Sequence, residues 1–166
     1  MMAEDQLNFV RQQGFAEATG ATCGIQYPAL AFQPRLIGVL VLAGVIVQSP
    51  SLFLILSAVL WWSAFVPALN PFDWLYASLA AARTGRWSVT TARSPRRFAQ
   101  GMAATFMLVI GVSLLSGWRG FAWVVEAILI LAVGAQVFGK FCLGSYLFHL
   151  ITGNRAFAHR TLPWSR

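Results

Sequence analysis

Charged residues divide this chain into long apolar runs. Positions 36 to 72, between Arg35 and Asp73, carry no charge. A helix needs about 20 apolar residues to cross a hydrocarbon layer about 30 Å thick, so this run is too long for one span and fits two. The break falls at Gln48-Ser49-Pro50-Ser51, because proline disfavours helix at the residue before it and suits the first turn of the helix that follows. A tight hairpin is predicted. Its first arm, Leu36 to Val47, is short and should begin earlier, near Ala31, with Pro34 in its first turn and Arg35 extending its guanidinium to the headgroups. Its second arm runs from Leu52 to about Leu69.

Phe98 to Trp118 contains no charge and reads as a third span, and Phe121 to Gly139 forms a fourth with one carboxylate, Glu126. The turn between them is Gly117-Trp118-Arg119-Gly120, and Trp118 and Trp123 suit the outer interface, where an amphipathic ring is half wet. Between the second and third spans, Pro71 to Arg83 alternates apolar and small residues around Phe72, Trp74, Leu75, Tyr76 and Leu79. This segment is expected to lie as a helix on the membrane surface. The expected fold is therefore all-α, an integral membrane protein of four transmembrane helices with an interfacial helix between the second and third. Residues 1–30 read as a polar, irregular N-terminal arm, 31–152 as the membrane domain and 153–166 as a polar C-terminal tail.

A basic loop follows the interfacial segment, with Arg83, Arg86, Arg93, Arg96 and Arg97 around Trp87. With four spans, eleven of the twelve Lys and Arg residues fall on the side that holds this loop and both termini, and Arg119 alone falls on the other. Cytoplasmic loops carry such an excess. The bacterial inner membrane is the expected location, with both termini cytoplasmic. The N-terminal residues lack the basic start and apolar run of a secretory signal, which agrees with an N-terminus that stays on the side of synthesis.

Composition supports lipid as the solvent. Residues are 58% hydrophobic and 10% charged, against roughly 25% charged in soluble domains, and the mean hydropathy is +0.66. The net charge of +7 could point to nucleic acid, but the basic residues flank apolar stretches instead of lining a soluble face. Membrane lipids and other membrane subunits are the expected partners, and nucleic acid is not.

Candidate chemistry is sparse. Arg96, Arg97 and Gln100 sit at a helix start, where free backbone amides favour an anionic ligand or a partner; anchoring to lipid phosphate is the simpler reading and the one expected. Arg35, Arg83, Arg86, Arg93, Trp74 and Trp87 join them as partner- or lipid-binding candidates. A carboxylate at the depth of Glu126 must be protonated, paired or turned toward protein or water, and contact with another helix, of this chain or of a partner, is expected. Beyond Gly139, Cys142, Ser145, His149 and Thr152 fall on one stripe of a helix that extends the fourth span. Cys23 and Cys142 form neither a disulfide framework nor a metal-ligand set. The sequence holds no phosphate-binding glycine loop, zinc-ligand set or paired carboxylate. No catalytic residue, metal or cofactor is assigned, and contact with a partner's pigment or haem stays open.

From about Arg35 to Thr152 the chain resembles an uncharacterised bacterial family of four-helix membrane proteins known as a domain of unknown function. The first motif, Pro95-Arg96-Arg97-Phe98-Ala99-Gln100, matches the family's proline, any residue, Arg-Phe-Ala-Gln in full. The second, Phe141-Cys142-Leu143-Gly144-Ser145, departs from Phe-Cys-x-Gly-Cys by carrying Ser145 at the second cysteine. A Cys-x-x-Cys pair can exchange disulfides or capture a metal, and a serine can do neither.

Two functional readings follow. One is a non-catalytic accessory subunit that stabilises a larger membrane complex through helix, aromatic and basic-loop contacts, with a respiratory or photosynthetic assembly (reaction centre or light-harvesting) as host. The other is thiol or sulfur redox metabolism through Cys142, with Cys23 as a resolving partner; the family's two cysteines imply it.

Overall fold

The computed structural model describes residues 4–84 and 92–162. The expectations for Arg86 and Trp87, and for the side chain of Arg83, lie outside the described residues. Every regular element among the described residues is helical, which agrees with the all-α expectation.

The N-terminal arm is not irregular. Helix α1 spans Glu4–Gln12, with Glu4 and Asp5 in its first turn and Arg11 in its last, charges placed to suit the helix dipole. Its buried Phe9 and Val10 form a small apolar cluster with Ala18, Cys23, Leu30 and Cys142. Polar composition alone hid this helix, because its apolar face is only two residues wide.

Helix α2 spans Gly20–Val47 and contains both Pro28 and Pro34, so it begins well before Ala31 and Pro34 is not in its first turn. Each proline removes one intrahelical hydrogen bond, which long apolar helices tolerate when neighbours satisfy the freed backbone. The helix stops at Gln48, whose φ of 50° and ψ of 45° are left-handed. Ser49 then accepts a hydrogen bond from Leu52 N–H and Pro50 opens helix α3, Pro50–Phe65. The predicted hairpin is present, but its second arm ends four residues short of Leu69. Pro67 offers no N–H to continue the ladder, and Pro67–Leu69 forms a 3-10 turn instead.

Helix α4 spans Pro71–Thr84, α5 Ser94–Leu115 and α6 Arg119–Val137. Among the described residues, three helices are long and apolar enough to cross a membrane: the Cys23–Val47 part of α2, α5 and α6. The fourth apolar helix, α3, has 16 residues and a length of about 24 Å.

The main core lies between α2, α3, α5 and α6 and centres on Ile37, Val41, Phe53, Leu60, Met107 and Ile110. The α3–α5 pair is the most extensive. Ser57 Oγ donates to the Ala104 carbonyl across it at 2.8 Å, and a Cβ at Gly111 would stand 2.8 Å from Leu54 and 3.2 Å from the Pro50 carbonyl.

Helix α6 does not continue through Cys142. Lys140, at φ 50°, breaks the chain after α6, and helix α7, Leu143–Ile151, packs against α5. A short helix α8, Arg155–Arg160, follows, so part of the tail is helical where irregular structure was expected.

Candidate functional site

Polar side chains collect at the end of the bundle where α4, the start of α5 and the middle of α2 meet. Helix α5 begins at Ser94-Pro95, which places Arg96 in its first turn and Gln100 one turn on, facing α2. Arg96 is buried and makes a two-pronged pair with Asp73 of α4, at 2.6 and 3.1 Å. One of its nitrogens also donates to Gln33 Oε1 of α2 at 2.7 Å, and Gln100 Nε2 donates to the same oxygen at 2.9 Å. Asn70 extends the network by donating to Asp73 at 3.1 Å, while its own carbonyl oxygen caps Phe72 N–H and accepts from Ser63 of α3. The guanidinium thus ties α5 to α2 and α4 directly, and α3 joins the network through Ser63 and Asn70. Charge-assisted, bidentate bonds of this kind are the strong ones.

Lipid phosphate does not account for Arg96 or Gln100, since both point into protein. Arg97 emerges from the same turn on the outer side, and its Nε donates to the Ala64 carbonyl at the end of α3 at 2.7 Å. Arg93 stacks over the Phe15 ring at 4.7 Å. Trp74 and Arg35 are exposed. Sequence reasoning missed Gln33, Asn70 and Asp73. A usable signal was there: Asp73 is the only acid between Glu17 and Glu126, so an arginine drawn into this bundle has one carboxylate within reach.

Beside the clamp lies a chamber with room for water centres of about 60 Å³, lined by Gln13, Gln33, Gln100, Gln136 and Arg96 together with apolar residues that include Leu30, Ile37, Leu60, Ala103 and Val133. Gln13 Nε2 and Gln100 Oε1 are buried and have no hydrogen-bond partner among the described residues.

The two segments that carry the family resemblance meet in space. A Cβ on Gly144 would sit 2.7 Å from both Cα and Cβ of Ala99, and Ser145 Oγ lies 3.4 Å from the Pro95 carbonyl, to which it donates. The Phe98 and Phe148 rings touch, with centroids 5.8 Å apart. Ser145 and His149 do not bond to each other. His149 Nε2 is 3.1 Å from the Gln12 carbonyl, which places the proton on Nε2 and leaves Nδ1 without a partner. Cys142 N–H donates to Gln12 Oε1 at 2.8 Å, and Cys142 Sγ accepts from Ser145 at 3.4 Å. Helix α1 is therefore docked on α7, and that docking gathers Cys23 and Cys142, far apart in sequence, into one buried cluster as free thiols.

A Lys140–Asp5 ion pair completes the α1 docking. The hydrogen bond from the Lys140 ammonium holds the Asp5 carboxyl below the usual carboxylate range. Because folding lowers this pKa, the contribution is complete above the unfolded value, near pH 4, and is lost as pH falls through the lower folded value. Protection of the α1 amides, taken relative to the intrinsic exchange rate at each pH, should fall between pH 5 and about 3, and Asp5→Asn should show the lower protection at every pH. Protection that does not change with pH would count against the pair as an anchor.

At the opposite end, Glu126 is buried and accepts from Gln48 Nε2 at 3.1 and 3.3 Å. Gln48 Oε1 accepts from Trp123 Nε1 at 3.1 Å, so the helix contact expected of Glu126 is with the α2–α3 turn of its own chain. Gln48 was not singled out from the sequence. Its left-handed backbone is what aims it at α6.

Among the described residues, no group of three or more His, Cys, Asp or Glu is placed to hold a metal ion. Fold and site together define a small helical bundle with helices of membrane-crossing length, tied at one end by a buried ionic clamp. The family described as "Domain of unknown function (DUF4395)" matches residues 25–152, and the chain belongs to that family. No curated protein and no solved structure matches it.

Proposed function

We propose that this chain is a multi-pass protein of the bacterial inner membrane, with α2, α3, α5 and α6 as four spans, α4 at the cytoplasmic interface and both termini inside. On this reading it serves as a non-catalytic accessory subunit that stabilises a larger membrane complex. The observation that carries the proposal is how the polar groups are used: Arg96, Asp73, Gln33 and Glu126 bond to neighbouring elements of the same chain. Large apolar side chains such as Ile46, Phe65, Leu131 and Phe138 meanwhile face outward. Such a body offers surface to lipid and neighbours while its interior holds shape. Arg35, Arg93, Arg97 and Trp74, all exposed, would meet headgroups or a partner.

Purification of the tagged full-length chain from native membranes in mild detergent, followed by mass spectrometry, should recover stoichiometric partner chains. A clean monomer would sink the subunit reading, and a C-terminal tag reachable from outside intact cells would sink the topology.

A second reading, thiol redox metabolism, is favoured by the shared Cys23–Cys142 cluster. Under it, Cys142→Ser should change growth under thiol-oxidising stress while leaving assembly intact. An unchanged phenotype would remove it.

A further inference from the structure

Three arginines from two distant parts of the chain line one pocket. It lies where the end of α1 and the turn after it meet the start of α5, and Arg11, Arg93, Ser94 and Arg97 are among its lining residues. Its volume is about 450 Å³, within the range of about 300–1,000 Å³ that holds small ligands. No Asp or Glu is among its described lining residues. Of the chain's five acids, Asp73, Asp5 and Glu126 are engaged by Arg96, Lys140 and Gln48. Glu4 lies at the far end of α1, and Glu17 is exposed and follows the lining residue Ala16.

Each guanidinium is held by one edge or one face. Arg97 uses its Nε on the Ala64 carbonyl at 2.7 Å, Arg93 lies over the Phe15 ring at 4.7 Å, and Arg11 approaches the Ala18 carbonyl with one terminal nitrogen at 3.5 Å. The stem of Arg93 is fixed too: Gly14, at φ 107°, lets the chain pass so close that a Cβ there would stand 2.8 Å from Arg93 Cβ. Arg93 and Arg97 are exposed and Arg11 is half-buried. Arg11 Nε and His149 Nδ1 are sealed off, so neither serves the pocket as a donor.

The cost of this arrangement identifies its occupant. Arg97 N–H bonds to the Arg93 carbonyl at 3.0 Å, which sets the two side chains one helical turn apart, where like charges repel. Arg11 adds a third positive charge, and α5, a 22-residue helix without a side-chain cap, adds the positive end of its dipole. An anion in the pocket offsets that repulsion. A carboxylate holds its oxygens in one plane, whereas a phosphate directs them several ways and accepts N–H forks from arginines that arrive on different elements.

We propose that this pocket binds a phosphate group between Arg93 and Arg97 at the start of α5 and Arg11 of α1. A lipid headgroup and a soluble phosphoester present the same chemistry to it. Because Arg11 belongs to the N-terminal arm, the bound phosphate also fastens α1 to α5. The site requires neither the membrane topology nor the subunit role argued above, and a chain that purifies as a monomer retains it.

The test uses the purified full-length chain in a neutral maltoside detergent, free of phospholipid and at constant ionic strength. Pyrophosphate should bind saturably in isothermal titration, raise the thermal midpoint and increase amide protection in α1. Acetate should bind about tenfold more weakly or worse, and Arg11→Gln and Arg93→Gln should each weaken pyrophosphate by about tenfold or more, the worth of one hydrogen bond to a charged group. Arg35→Gln, exposed on α2 and outside the pocket, should leave affinity unchanged. Each variant is compared with its own ligand-free midpoint, which separates lost binding from lost fold. Should Arg93→Gln fail to fold, Arg93→Lys, which keeps stem and charge but not the fork, should still weaken binding. Dihexanoyl phosphatidylglycerol that binds about tenfold tighter than glycerol phosphate would assign a lipid headgroup, and equal binding a soluble phosphoester; either result sustains the site. Binding that acetate matches, or that survives intact in Arg11→Gln and Arg93→Gln, would overturn the proposal, as would the absence of saturable binding by all of these phosphates.

Discussion

Arg96→Ala should destabilise the protein by about 3–5 kcal/mol, the range for removing one partner of a buried ion pair. The guanidinium and the Asp73 carboxylate are only 7% and 14% exposed at their side chains, so the loss leaves a carboxylate in a poor solvent with Asn70 as its only other partner given by the structure. Unfolding in mixed micelles measures the difference. Arg96→Lys should recover only part of it, since a compact ammonium cannot reach two carboxylate oxygens and Gln33 in the geometry of a planar fork. Arg96→Met combined with Asp73→Leu should recover most of it, because apolar replacement of the whole pair removes the stranded charge. A loss below about 1 kcal/mol for Arg96→Ala would place the pair with exposed ion pairs of little worth, and the clamp would no longer explain how four helices are held.

Gly144→Ala should be the second costly change, at about 3 kcal/mol, the upper end for overpacking. The added methyl would stand 2.7 Å from Cα and Cβ of Ala99, and backbone cannot yield as a flexible side chain can. Helix α7 would have to lift from α5, and lifting it would disturb the bonds that join Cys142 and His149 to Gln12. A thermal scan should show the loss, and Cys142 should become reactive to a membrane-permeant maleimide. Gly134→Ala is the control: nothing lies within 4 Å of a Cβ there, and alanine is the better helix former by about 1 kcal/mol. If both variants behave alike, the close approach of α7 to α5 is wrong.

Apolar periodicity and charge spacing made the helical bundle readable, because a long uncharged run has few other physical outcomes. The hairpin turn at Ser49-Pro50 was readable for the same kind of reason, since proline chemistry is local. The ends of helices were not. Pro67 should have stopped α3 before Leu69, and Pro28 and Pro34 should have been allowed inside α2, since long apolar helices tolerate internal proline. The arginines of the first motif were legible as important but not as to role: Arg96 and Arg97 are adjacent, and only the position of Asp73 shows that one turns inward while the other ends α3. Glutamines were the least legible. Gln12, Gln13, Gln33 and Gln48 carry no pattern in sequence, because their significance comes from partners on other elements.

The two hairpins differ in height. Gly111 packs at Pro50 and Glu126 at Gln48, so the last turn of α5 and the first two of α6 rise beyond the α2–α3 turn by about 6 to 10 Å. On the four-span reading, a bilayer surrounding the molecule would have to be thin along one flank and full depth along the other. Strain of that kind is relieved when thin and thick flanks find matching neighbours, so the molecule would impose an orientation on whatever packs beside it even where no specific contact is made.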